Sequence, residues 1–218
     1  MKRDYMKLFL LFLFLSFFAS CISTVENISD NPQLVKETIT KEKSLVFGNI
    51  LWLENGKQKK IGSSIFEFYV KPDLVKLEDK TRVVCDVGEN GDFVWALEPG
   101  TYVINKMQYR DTWSGNYFFV PQSAFRITKS GKAYYIGQLE VNFEPERDLI
   151  GGLSGKATFS VNDLSPNAYE KFSQRYDIPQ ENIEKRLMVH DRRLPTTFDT
   201  TAEFNIGLQL LNAIFLAL

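Results

Sequence analysis

Side chains that could do chemistry are few in this sequence and widely spaced. His190 is the only histidine, so several histidines cannot combine to hold zinc. Asp86, Glu89, Asn90 and Asp92 crowd one turn, but they lack the regular spacing and the distal glutamate of an EF-hand calcium loop. The sequence contains no Gly-x-Ser-x-Gly elbow and no phosphate-binding loop. We therefore expect a binding or structural module without metal or cofactor; the alternative is a periplasmic or surface hydrolase whose active site has no recognisable motif.

One loop carries residue types that often recognise ligands. It reads YRDTWSGNY and contains Tyr109, Arg110, Trp113 and Tyr117. Rigid aromatic rings and arginine supply much of the energy of recognition, and loops on a rigid scaffold commonly present them. These four residues are the candidate site for a glycan, a peptide or a partner protein. In the alternative, Trp113 and Tyr117 fold back over the open end of the domain and serve packing.

The N-terminal residues have the pattern of a secretory signal peptide. An unbroken apolar run covers residues 8–15 and is too short to span a bilayer. Three cations precede it: Lys2, Arg3 and Lys7. The segment ends in Phe18-Ala19-Ser20-Cys21, which resembles the lipobox of bacterial lipoproteins, with Phe18 where leucine is usual. The alternative is an ordinary signal peptide that is cut nearby, with Cys21 incidental.

The lipobox resemblance implies that residues 1–20 are removed and that Cys21 is the lipid attachment site. Two or more acyl chains, palmitate among them, would then hold the protein stably on a membrane. Aspartate after the lipidated cysteine favours inner-membrane retention, and here that position is Ile22, so the resemblance favours the outer membrane of the cell envelope. A net charge of −1 gives no basic footprint for nucleic acid.

The central stretch from Arg82 to Met107 predicts three consecutive antiparallel strands. Asn90-Gly91 is typical of a tight hairpin, and Pro99-Gly100 is typical of a type II turn. Alternation within the stretch predicts that Cys85 points into the core. With Cys21 acylated, Cys85 has no disulfide partner, and we expect it to be a small buried hydrophobe.

Turn signals divide residues 44–161 into about eight or nine strands, with a further hairpin at Asn55-Gly56. This pattern predicts a mainly β fold, an antiparallel β-sandwich of prealbumin-like or Ig-like type. The segment GDFVWALEPGTYVI, followed later by GKAYYIG, resembles transthyretin-like modules, which occur as carboxypeptidase regulatory-like domains and in small bacterial lipoproteins. The resemblance implies a module that binds or supports and does not catalyse.

The segments on either side of the sandwich differ in composition. Residues 21–43 are polar with scattered hydrophobes and predict a flexible tether. Residues 162–218 predict a helical hairpin, whose helices begin near Ser165-Pro166 and at Pro179, followed by an apolar segment from Phe204 to Leu218. We expect this last segment to pack on the sandwich, because so many apolar side chains must be buried; a membrane or a partner is the alternative.

Overall fold

Two β-sheets face each other across an apolar core in the computed structural model, which describes residues 23–39, 43–61, 68–111, 115–147 and 153–217. We call them sheet I and sheet II. Sheet I has the strand order β1-β5-β4-β7-β9-β13, with β8 also paired to β7. Its strands are β1 (Ser23–Val25), β4 (Tyr69–Lys76), β5 (Arg82–Cys85), β7 (Gly100–Asp111), β8 (Gly115–Phe119), β9 (Ser123–Ile127) and β13 (Val189–His190).

Sheet II has the order β11-β10-β2-β3, with β6 paired to β2 and β12 paired to β10. Its strands are β2 (Ser44–Glu54), β3 (Lys57–Gln58), β6 (Asp92–Leu97), β10 (Ala133–Arg147), β11 (Leu153–Asn162) and β12 (Ile183–Lys185). The three helices of the described chain are α1 (Pro32–Thr38), α2 (Asn167–Tyr176) and α3 (Thr201–Ala217). The predicted β-sandwich with a C-terminal helix is therefore confirmed.

Both sheets are mixed, whereas the turn pattern predicted antiparallel strands alone. The strands β1 and β5 run parallel in sheet I, and in sheet II β10 runs parallel to both β2 and β12. The long parallel pair joins strands from opposite halves of the sequence, with Val46 opposite Tyr134. Turn signals report only neighbours along the chain, so they could not reveal such a pair.

The predicted meander over residues 82–107 is wrong, because its three strands do not pair with one another. The first and third strands, β5 and β7, lie in sheet I, while β6 lies between them in sequence but in sheet II. The inward face was predicted correctly: Cys85, Trp95 and Tyr102 are all buried in the core between the sheets. A chain that crosses between sheets uses the same Gly and Pro turns as a hairpin and keeps the same inward alternation.

The other Asn-Gly turn does form the predicted hairpin. Asn55 and Gly56 have φ values of 51° and 74°, and β2 and β3 pair antiparallel on either side of them. Positive φ at both central positions is the requirement of a type I′ turn.

The segment predicted as a tether is folded onto the sandwich over residues 23–39. The strand β1 pairs with β5, and Val35 of α1 is fully buried on the outer face of sheet II. The Asn27 side chain accepts a hydrogen bond from the Val94 amide at 2.9 Å and donates one to the Asp92 carbonyl at 3.1 Å. Val25, Ile28, Val35 and Ile39 of this segment therefore pack against buried residues, and the prediction of a flexible tether is corrected.

The predicted helical hairpin is half right. The helix α2 forms and buries Phe172 and Tyr176 on the outer face of sheet II, where the Phe172 ring stacks on Phe47 at 3.8 Å. The second helix is absent from the described chain: a 3₁₀ turn at Gln180–Asn182 leads directly into β12. Pairing of Ile183 with Ala133 of β10 replaces the helix that the local spacing indicated.

The apolar C-terminal segment packs on the sandwich, as expected. The helix α3 buries Phe204, Gly207 and Leu211 on the outer face of sheet I. Gly207 allows close approach, since a Cβ there would lie 2.7 Å from the Phe198 ring. No helix in the described part of the chain is both long and apolar enough to cross a membrane.

Candidate functional site

Tyr109, predicted in the ligand loop, is a core residue. It is 0% exposed, and its ring stacks on Trp52 with the centroids 4.7 Å apart. Its hydroxyl accepts a hydrogen bond from Lys59 Nζ at 3.0 Å. A ligand cannot reach a side chain in this position without opening the sandwich.

The other predicted loop residues do not come together as one binding site. Tyr117 is half-buried and packs against the core, with its ring 5.5 Å from those of Tyr109 and Phe143. Arg110 is exposed on the outer face of sheet I, with its guanidinium 5.8 Å from the centre of the Tyr69 ring. Trp113, like the predicted lipid site Cys21, lies outside the described residues. Tyr117 therefore serves packing, which was the alternative to ligand binding for this residue.

A cleft on the other side of the molecule has the geometry of a binding site. It has a volume of about 720 Å³ and lies on the outer face of sheet II, beside the edge of α2. The apolar cluster under α1 and α2 covers one end of this sheet face, and beyond it Leu51 and Leu53 of β2 lie among mostly polar side chains. Polar and charged side chains that line the cleft include Asn49, Asp92, Gln138, Asp163, Lys171 and Arg175.

Two glycines let the strands of the cleft floor approach each other closely. A Cβ on Gly48 would lie 2.4 Å from the Gly137 carbonyl oxygen, so no side chain fits there. Gly137 has φ +89° at an irregularity in the pairing of β10 with β2. The floor is therefore bare backbone at this point, with side chains rising around it.

A hydrogen-bonded row of polar side chains crosses the floor. Gln138 Nε2 donates to Asn49 Oδ1 at 2.9 Å, and Asn49 Nδ2 donates to Asp92 Oδ1 at 2.9 Å and to the Asn90 carbonyl at 3.0 Å. These bonds fix the orientation of the amides before a ligand arrives, which lowers the entropy cost of binding.

Charges of both signs stand around the cleft. Lys171 and Arg175 are one helical turn apart on α2; Arg175 pairs with Asp30 at 2.9 Å, while Lys171 forms no ion pair within the described residues. Hydrogen bonds from Ser165 and the ammonium group of Lys185 hold the pKa of Asp163 below its usual range. A carboxylate with a lowered pKa stays ionised, so Asp163 is suited to accept hydrogen bonds and not to donate a proton.

The described residues contain no group of three or more His, Cys, Asp or Glu side chains that could hold a metal ion. His190 lies in β13, where its Nδ1 is 2.7 Å from the Pro121 carbonyl oxygen.

Sequence reasoning missed this cleft because its residues come from separate segments. Asn49 and Gln138 are nearly ninety positions apart and meet only because β2 and β10 pair in parallel. The available signal was the placement of amide side chains at outward positions of strands that are otherwise apolar.

Comparison with known proteins does not assign this chain to a family. No family model matches the chain, and no curated protein is similar to it. A solved structure, the 3-chlorocatechol 1,2-dioxygenase from Rhodococcus opacus 1CP, is 8% identical over 78% of this chain, with a TM-score of 0.21. The chain spans 65% of the length of that enzyme. A likeness this low carries no argument about fold or function.

Proposed function

We propose that this protein is a lipid-anchored protein of the cell envelope, more specifically of the outer membrane, that binds an envelope glycan or peptide without catalysing a reaction. The observation that carries the binding role is the cleft with its preorganised row of Gln138, Asn49 and Asp92. The lipobox-like ending of the signal segment at Cys21 supports the anchoring role.

The charges of the cleft favour a ligand that itself carries both signs. A peptide carboxylate would pair with Lys171, whereas a ligand amine would pair with Asp163 or Asp92. Gln138 can bind peptide groups or sugar hydroxyls through its Oε1 atom and its second Nε2 hydrogen, whereas Asn49, whose two amide hydrogens are already donated, offers only its Oδ1 acceptor. Peptide-bearing cell-wall glycan has all of these groups.

Co-sedimentation of the purified protein with isolated peptidoglycan sacculi tests the proposal. We expect the wild-type protein to sediment with sacculi and Lys171→Glu to lose most of this binding, because the variant places a carboxylate where the ligand carboxylate would lie. Arg192→Glu is the matched control: it reverses one exposed cation outside the cleft, so it should bind as the wild type does.

Equal sedimentation of wild type and Lys171→Glu would remove the cleft from the proposal. Failure of the wild-type protein to bind sacculi would contradict the proposed ligand class. Release of soluble wall fragments by the wild type would favour the hydrolase alternative.

A further inference from the structure

We infer that the outer face of sheet I, with α3 packed on it, is a membrane-docking surface that lies against an anionic lipid bilayer. Its defining residues are Lys80, Lys106, Phe118, Arg126, Ile206 and Leu216. The inference rests on the proposed lipid anchoring at Cys21 and goes beyond it, because an anchor alone does not fix which side of the protein faces the lipid.

The helix α3 has large apolar side chains that the sandwich leaves uncovered, among the exposed amides Asn205, Gln209 and Asn212. Opposite the buried residues Phe204 and Leu211, Ile206 is 53% exposed and Leu216 is 85% exposed. After Glu203 the helix contains no charged residue as far as Ala217. Exposed leucine and isoleucine on a helix without charged residues favour burial against another apolar surface.

Cations lie over aromatic rings around these apolar side chains. Lys80 Nζ is 5.2 Å from the centre of the Phe204 ring, and the Arg126 guanidinium is 4.7 Å from that of Phe215. Neither cation pairs with a carboxylate among the described residues. Basic side chains beside aromatic rings suit the headgroup region, where anionic lipids attract the cations and the rings lie at the boundary of the acyl chains.

The part of sheet I that α3 leaves uncovered also has cations beside aromatic rings. Phe118 is 56% exposed and has Lys106 Nζ 4.5 Å from the centre of its ring. On β4, which neighbours β7, the Tyr69 ring has Lys71 Nζ at 5.6 Å and the Arg110 guanidinium at 5.8 Å, and Lys71 also pairs with Asp86 at 3.0 Å. Alternation places these side chains on the same outward face, because Val70 and Tyr109 beside them point into the core.

The anchor position leads directly into β1, an edge strand of sheet I, whose outer face is the docking surface. Cys21 precedes Ser23 by two residues, a reach of about 7 Å at full extension. Ser23 pairs with Val83, and the neighbouring Arg82 Nη2 donates to the Phe198 carbonyl and to Asp199 Oδ1, both at 2.7 Å, just before α3 begins. A lipid at Cys21 would therefore hold the start of α3 close to the bilayer.

A second copy of the chain is a poorer occupant than the bilayer. In a two-fold dimer the same surface is present on both sides of the contact. Cations such as Lys80 and Arg126, which pair with no carboxylate among the described residues, would then lie near their counterparts, whereas anionic headgroups would neutralise them.

This orientation has a consequence for the cleft. Because the cleft is on the outer face of sheet II and α3 is on the outer face of sheet I, docking would turn the cleft away from the bilayer and toward the wall.

A probe of lipid depth tests the inference on the full-length protein as the cell processes it. Leu216→Cys, labelled with bimane and reconstituted into vesicles of phosphatidylethanolamine and phosphatidylglycerol, is compared with Leu164→Cys, which carries the label at an exposed leucine beside the cleft. The native Cys85 is fully buried and should not react. We expect brominated lipid to quench the probe at 216 and aqueous iodide to lose access to it, with the opposite result at 164.

If the protein stays on the vesicles but iodide quenches the probe at 216 as readily as the probe at 164, the docking surface is overturned. The anchoring proposal is then left intact. Protection from iodide at 216 without vesicles, together with a doubled solution mass, assigns the face to a second copy and also overturns it. Protein that does not remain on vesicles contradicts both the anchoring and the docking.

Discussion

Asp73 is a half-buried carboxyl whose protonation the fold disturbs. It lies half-buried on the outer face of sheet I, and its Oδ1 atom has no hydrogen-bond partner within the described residues. Burial raises the pKa of Asp73, while the nearby charges of Arg82 and Lys106 and a hydrogen bond from Asn105 oppose the rise. The ionised form is therefore less favourable in the folded protein than in the unfolded chain.

The direction of this pKa shift predicts the pH dependence of Asp73→Asn. A raised pKa means that the folded state binds more protons than the unfolded state, so wild-type stability falls as pH rises through the interval above 3.8. The asparagine variant lacks this loss and should melt at a temperature equal to or above that of wild type at pH 7. Its relative advantage should shrink as pH falls toward 4. Thermal unfolding of wild type and Asp73→Asn at pH 7 and pH 4 measures this difference in melting temperature. If Asp73→Asn lowered the melting temperature equally at both pH values, a raised pKa of Asp73 would be contradicted.

Cys85 shows which single-residue properties the sequence discloses. Alternation predicted that the thiol is buried, and the residue is free and fully buried. Burial, with the charges of Asp86 and Asp73, raises the pKa of the thiol, so the reactive thiolate is disfavoured. Tyr109 shows the limit, because an aromatic residue at the end of a strand has the same local pattern whether it faces a ligand or the core.

The start of α3 is fixed by a capping box, the most sharply defined feature at the scale of elements. Glu203 Oε2 accepts hydrogen bonds from the amides of Thr200 and Asp199, both at 2.8 Å, and Oε1 accepts one from Thr197 Oγ1 at 2.7 Å. In return, the Glu203 amide donates to Thr200 Oγ1 at 3.3 Å. Amides that the first helical turn leaves unpaired are satisfied in this way.

Glu203→Gln should lower the melting temperature at pH 7, because these bonds are made to the carboxylate. They lower the pKa of Glu203 from 4.5 to about 2, so their stabilising effect is present above 4.5 and is lost as pH falls toward 2. We expect the difference from wild type to close over that interval. Glu181→Gln, at an exposed position without a hydrogen-bond partner in the described chain, is the control and should match wild type throughout. A difference that persists at pH 2 would show that charge is not the cause.

The two Asn-Gly turns show why the individual strands and turns were predictable from the sequence, whereas the pairing of the strands was not. Asn55-Gly56 and Asn90-Gly91 have the same sequence signal, but the first closes a hairpin and the second lies between strands of different sheets. Local sequence specifies the turn and the inward face of each strand. Which strands become neighbours depends on contacts between distant residues, as in the parallel pairing of β2 with β10.

At the scale of the whole molecule, the candidate site is a product of this long-range pairing. The signal segment and the β-sandwich could be proposed from local patterns, whereas the cleft needs β2, β6, β10 and α2 in their final positions. The same holds for the docking surface, which combines a C-terminal helix with strands from the middle of the chain. In the arrangement we propose, the lipid and sheet I face the bilayer while the cleft faces the wall.

Mass spectrometry of the mature N-terminus tests the central claim of lipid anchoring most directly. We predict that the first residue of the membrane-bound protein is Cys21, carrying a diacylglyceryl thioether and an N-acyl chain. We also predict that Cys21→Ala is neither processed at this position nor anchored. An unmodified N-terminus downstream of Cys21, or a Cys21→Ala protein that is still processed and membrane-bound, would contradict the account.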